Sequence, residues 1–240
     1  MRQSYILALT FAVLGLCVLA GLGTGVFVYR LVNPGPPASI LLIAVSESSS
    51  SPPALYGAWA AIPRPDWGHV RLVGLPPETW VEVEGARLGD LYREGGDDAL
   101  RHAVAGLLDE VDALDGVMAF SPESLRAIEE LAGGYLVFGA APQDAQSLRA
   151  YMAGAPGPLA AFQRQTWLVE CVVSTLAGVG AERIEALLGR HAEGTLSPAG
   201  RAALWRALAG GNVRLMPIPL GRFAPIDGAD PPALRLLPPG

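Results

Sequence analysis

"VRLVGLPPETWVEVEG", Val70 to Gly85, is the stretch from which the rest of the chain is read. Its apolar run, Val70 to Leu75, suits a strand. Pro76-Pro77-Glu78-Thr79 stops that strand as a turn, and Val81 and Val83 resume it as an alternating one. A buried strand ending in a turn that carries a carboxylate can present the acid to a ligand at the edge of a sheet, which makes Glu78 the first candidate site residue.

Upstream, "SILLIAV" (Ser39 to Val45) is a continuous apolar run, as expected of a strand covered on both faces. A Ser-rich loop from Ser46 to Pro53 separates it from "LYGAWAAIP" (Leu55 to Pro63), which a Pro65-to-Gly68 turn joins to the strand before Glu78. Downstream the period changes from two to 3.6. "DDALRHAVAGLLDEVD" sets Leu100, Val104, Leu107, Leu108 and Val111 on one helical face, with Asp97 and Asp98 at the amino end, where carboxylates complement free amides.

"GVMAF" (Gly116 to Phe120) reads as a strand, and "SPESLRAIEELAGG" as a helix capped by Ser121-Pro122 and stopped by Gly133-Gly134; "YLVF" is a further short strand. Pro158 to Gly178 is a long helix with Phe162, Trp167, Leu168, Cys171, Val172 and Leu176 expected inward. "ERIEALLGRH" and "SPAGRAALWRALAGG" add two helices, Val213 to Gly221 a late strand, and the Pro/Gly-rich end from Ala224 reads as a loose tail. Helices alternating with strands predict an α/β fold, a three-layer α/β/α sandwich with a mixed central sheet.

The composition narrows the chemistry. All 17 basic residues are arginine, which excludes a Walker lysine, a Schiff base and a Ser-Lys dyad. With a net charge of −6 and no basic cluster, nucleic acid is not an expected partner. The two cysteines are Cys17, in an apolar segment, and Cys171, read as a core residue; the three histidines share no ligand spacing, so no zinc site is expected.

Tyr5 to Tyr29 is a stretch of 25 residues without a charge, longer as a helix than the roughly 30 Å hydrocarbon core of a bilayer. Its length favours an uncleaved anchor over a signal peptide, with the amino terminus cytoplasmic and the rest of the chain outside. Gly21 and Gly25 form a GxxxG pair, more often a packing feature of membrane helices than a dimerisation motif. The expected organisation is a head and transmembrane anchor over 1–30, a Pro/Gly spacer over 31–38, an extracytoplasmic domain over 39–223 and a tail over 224–240.

In this order, "ILLIAV", "GLPPETW" (Gly74 to Trp80), "RLGDLYREGG" (Arg87 to Gly96), "MAFSPESLRAIEELAGG" (Met118 to Gly134) and "FQRQ" (Phe162 to Gln165) resemble the LytR-CpsA-Psr (LCP) proteins. The resemblance covers nearly everything after the spacer, although no motif is intact. It implies a membrane-anchored protein that transfers a glycopolymer from a polyprenyl (pyro)phosphate carrier to peptidoglycan or another wall acceptor, with Mg²⁺ held by carboxylates and arginines clamping the pyrophosphate.

Carried across, Glu78 takes the place of the aspartate in a Pro-Arg-Asp turn and becomes the expected metal ligand. Arg87 and Arg164 are the expected catalytic cations, and Gln165 and Tyr92 the expected ligand-binding residues. Other family groups are replaced: Pro77 stands where an arginine belongs, uncharged residues near Leu55 and Tyr56 where a second metal carboxylate belongs, and Ala161 and the stretch Tyr151 to Ala153 where two more arginines belong. Arg64 and Arg71 are candidate substitutes for the lost cations. An active phosphotransferase, an inactive domain that binds a lipid-linked ligand or a partner, and a generic anchored interaction domain are the readings to separate.

Overall fold

The structure, a computed structural model, describes residues 39–45, 53–64, 69–121, 124, 127, 155–189 and 192–238. The chain divides into two units, Met1–Pro37 and Ala38–Gly240, and every described residue belongs to the second. Among the described residues no helix is long and apolar enough to cross a membrane; the Tyr5-to-Tyr29 segment lies outside them. So do the Pro65-to-Gly68 turn, the "YLVF" strand, the stretch Tyr151 to Ala153 and most of the Ser121-to-Gly134 helix.

The central sheet is built on β1 (Ile40–Val45), β2 (Leu55–Arg64) and β3 (His69–Leu75), paired antiparallel in that order. Parallel to β1 on its other side runs β6 (Gly116–Phe120), edged by the antiparallel β7 (Ala192–Glu193), and β8 (Val213–Leu215) lies parallel to β3. The six-stranded order β7-β6-β1-β2-β3-β8 is therefore mixed, as expected.

Both faces are covered, which explains the near-continuous apolar runs of the inner strands. Leu41, Ile43, Ala60, Ile62, Val73 and Leu75 join one core with helix α1 (Leu88–Leu107). Ile40, Ala61, Leu72 and Met118 join a second core with helices α2 (Pro158–Leu176), α3 (Ala181–Leu188) and α4 (Pro198–Ala209). On the second face Gly57 and Gly74 leave space for the Trp59 ring: a Cβ at Gly74 would lie 2.8 Å from Trp59 Nε1 and 3.0 Å from the Phe162 ring. As read from sequence, Ser197 caps α4, its Oγ accepting from Gly200 N at 3.1 Å.

Three expectations need correction. The strand expected to continue through Val83 stops after three residues, β4 (Thr79–Val81), because Gly85 takes a φ of +62° and closes a tight turn back into β5 (Ala86–Arg87); Val83 is left 94% exposed at its tip. The helix expected from Asp97 does begin there, directly after Gly96, whose φ of +65° and ψ of −152° break the helical run; a further helical stretch from Leu88, not expected from the sequence, precedes it within α1. Trp167, expected inward, is exposed, since α2 buries fully only Phe162, Gln165 and Leu176.

The third correction concerns the carboxyl end. The late strand is only β8, and the loose tail from Ala224 is instead part of a second sheet: β9 (Phe223–Pro225) and β10 (Leu234–Leu236) pair antiparallel, and β10 runs parallel to β4 in the order β5-β4-β10-β9. Phe223 and Leu234 reach the α1-side core, and that burial outweighs the loop-like composition between them.

Candidate functional site

The turn after β3 is held by backbone hydrogen bonds on three sides. Thr79 N donates to Pro76 O (3.0 Å), Gly89 N at the start of α1 donates to Pro77 O (2.8 Å), and Leu234 N of β10 donates to Glu78 O (2.9 Å). Glu78 thus sits on a fixed corner between a helix start and the second sheet. Burial pushes its carboxyl above the usual carboxylate range, opposed by its own backbone N–H and by the charge of Arg87.

Arg87, the residue before α1, is brought to this corner. Its Nε and Nη2 meet the two oxygens of Asp90 at 2.6 and 2.9 Å, a two-pronged pair, while Nη1 contacts Pro232 O at 3.4 Å. Asp90 also accepts from Arg93 Nη1 at 2.9 Å, and its carboxyl is lowered first by the Arg87 hydrogen bond. The set Glu78, Arg87, Asp90 and Arg93 is charge-neutral when ionised. Asp90 was not singled out from sequence; the Arg87-x-x-Asp90 spacing, which faces the two across one helical turn, is the signal that could have found it.

Beside these charges lies an apolar cleft of about 320 Å³ between the amino end of α2 and the β9–β10 segment, lined by Pro156, Pro158, Leu159, Ile226, Ala233 and Leu234. Pro232 also lines it, so one short segment carries the cleft wall, the carbonyl contacted by Arg87 and the amide that holds Glu78.

Of the remaining expected site residues, Tyr92 stands on α1, and Arg164 and Gln165 stand on α2. Tyr92 is buried in the α1-side core. Gln165 is buried and donates through Nε2 to Tyr56 O, tying α2 to β2, while its Oε1 has no partner. Arg164 is half-buried on α2, one turn, about 6 Å along the axis, beyond Ala160, which also lines the cleft. Arg87 is the guanidinium whose charge acts on Glu78. Cys171 is half-buried against the second core, and burial followed by the Glu170 charge raises its thiol, which suits packing rather than attack.

Arg64 and Arg71 do not replace the missing cations. Arg71 is four residues before Leu75, about 13 Å up the strand from the end that carries Glu78, and Arg64 lies farther still. The donor set also fails to fit Mg²⁺, which takes one or two well-placed carboxylates and keeps its remaining sites for water and phosphate. Both Asp90 oxygens are engaged by guanidiniums, and burial favours the protonated form of Glu78. Among the described residues no three His, Cys, Asp or Glu side chains group as a metal site.

No family model matches the chain, and no curated protein matches it. Solved structures do. Bacillus subtilis TagV has a TM-score of 0.63 at 13% identity, covering 84% of this chain and 91% of that one. Bacillus subtilis yvhJ, described as a transcriptional regulator, has 0.61 at 14%, covering 85% and 91%. "TagT bound to LI-WTA" has 0.58 at 14%, covering 83% and 84%. At these identities the likeness shows a shared fold.

Proposed function

We propose that this chain, which has the fold of the LytR-CpsA-Psr proteins, is an envelope protein that binds a polyprenyl-(pyro)phosphate-linked glycopolymer without transferring it efficiently. One observation carries the reading: the apolar cleft and the Glu78–Arg87–Asp90–Arg93 corner share the Pro232–Leu234 segment, so a ligand with an apolar tail and an anionic head can engage both. TagT was solved bound to LI-WTA, which supports a ligand of this class. The protein is anchored by Tyr5 to Tyr29 with its domain outside the membrane.

Transfer needs net positive charge to stabilise the departing pyrophosphate, and loss of one such donor costs about 100–1,000-fold in rate. Here Arg87 is already neutralised by Asp90, and the positions of three family arginines hold other residues. The second reading, slow transfer to a wall acceptor, is favoured by the raised carboxyl of Glu78, a stronger proton acceptor toward an acceptor hydroxyl than an ordinary carboxylate.

Detergent-solubilised full chain mixed with a polyprenyl-pyrophosphate glycan, with and without Mg²⁺, separates them. Stoichiometric binding without product is expected, with or without the metal. Product formation that disappears in Glu78→Gln moves the assignment to the second reading, and no binding at all defeats both.

A further inference from the structure

The end of the central sheet away from Glu78 carries a row of arginines that the proposed function leaves unused. Arg71 on β3 pairs in register with Arg214 on β8, and Arg64 on β2 lies diagonal to Arg71, two residues beyond its partner Ile62. Val70, Leu72, Val213 and Leu215 pack into the second core, so Arg71 and Arg214 share the opposite face, the one covered by α1. Arg64 and Arg71 divide one carboxylate: Arg64 pairs with Glu110 Oε2, and Arg71 Nη1 is 2.7 Å from Oε1.

Among the described residues Arg64 and Arg71 share one paired carboxylate, with Arg214 in register beside Arg71 on the same face. The Nε atoms of Arg64 and Arg71 are buried without partners, and the two cations repel at close range in a partly desolvated setting. The two pairs leave side-chain exposures of 33% for Arg64 and 22% for Arg71, enough to receive a ligand from outside.

The row also lies where the chain enters the domain. Ile40 pairs with Ala61, and Ser39 exchanges hydrogen bonds with Asp115, its N donating to Oδ2 at 3.0 Å and its O accepting from Asp115 N at 2.7 Å. In the sequence only residues 30–38 separate this entry point from the apolar Tyr5-to-Tyr29 segment.

We infer that Arg64, Arg71 and Arg214 form a binding site for phosphate-class oxyanions, supplied by the headgroups of anionic lipid at the membrane surface. The lipid source rests on the anchored reading; the oxyanion site does not. Arginine suits this role because its planar fork takes two phosphate oxygens at once.

The test titrates the full chain in detergent with dihexanoyl phosphatidylglycerol, dihexanoyl phosphatidylcholine and inorganic phosphate, followed calorimetrically. Phosphatidylglycerol is expected to bind and phosphatidylcholine not. Arg64→Gln and Arg71→Gln are each expected to weaken binding roughly tenfold, as for a lost hydrogen bond to a charged group. Glu110→Gln removes the competing carboxylate and is expected to strengthen it, a gain that a misfolded variant cannot mimic. Phosphate binding as tightly as phosphatidylglycerol overturns the lipid source and keeps the oxyanion site. Binding unchanged in both arginine variants, or absent for every anion, overturns the site itself, whatever the result with the polyprenyl-linked glycan.

Discussion

Replacing Asp90 with Asn tests the view that the corner beside the cleft is held neutral by internal pairing. The substitution keeps the shape and removes the charge that engages Arg87 at two points and Arg93 at one. Arg87 is mostly buried, so its pair contributes about 1 kcal/mol, whereas the exposed Arg93 contributes about 0.3 kcal/mol. A carboxylate in the first turn of α1 adds about 0.5 kcal/mol through the helix dipole.

The expected loss for Asp90→Asn is therefore about 1–2 kcal/mol at neutral pH, read as the change in urea midpoint at constant slope. The sign with pH follows from the lowered carboxyl: the native state binds fewer protons than the unfolded one. The stabilisation is present above the ordinary value of 3.8 and lost as pH falls through the lower native value, so wild type and variant converge in acid. The same variant frees Arg87 and should bind inorganic pyrophosphate about tenfold more tightly than wild type. A stability difference that persists unchanged in acid, or pyrophosphate affinity equal to wild type, refutes internal neutralisation.

Glu78→Gln should act in the opposite sense. With a raised native carboxyl, wild type loses stability as pH climbs from the unfolded value near 4.5 through the native one, and thermal melts of the variant should be flatter across that range and higher at neutral pH. Phe162→Ala, at a ring that is 1% exposed and packed edge-on to Phe223 at 5.8 Å, should cost about 3–5 kcal/mol in urea unfolding. Gly74→Ala should cost about 1–3 kcal/mol by crowding Trp59 and Phe162, with a shift in tryptophan emission; an unshifted spectrum and full stability would show that the space is not tight.

The central sheet was legible because strands buried on both faces carry near-continuous apolar runs: Ile40 to Val45 and Leu55 to Pro63 are long ones, and Val70 to Leu75 is interrupted only by Arg71. The second sheet was not. Its strands are two or three residues long, below any usable period, and it is assembled by backbone pairing between segments more than 150 residues apart, as in Leu234 with Thr79. At the site, Glu78 and Arg87 were legible from their turn and motif. Asp90 was not, because the resemblance directed the search for a second carboxylate to Leu55 and Tyr56, on a different strand.

That displacement bears on the chemistry as well as on legibility. A second acid on β2 could face Glu78 across a metal. An acid three residues after Arg87 on the same chain segment faces the arginine instead, and local geometry fixes that choice before any ligand arrives. The corner keeps charges of both signs but engages them with each other, so a phosphate competes with Asp90 for Arg87. Such exchange of one oxyanion for another is compatible with holding a pyrophosphate headgroup. It leaves little surplus positive charge for the transition state of its transfer.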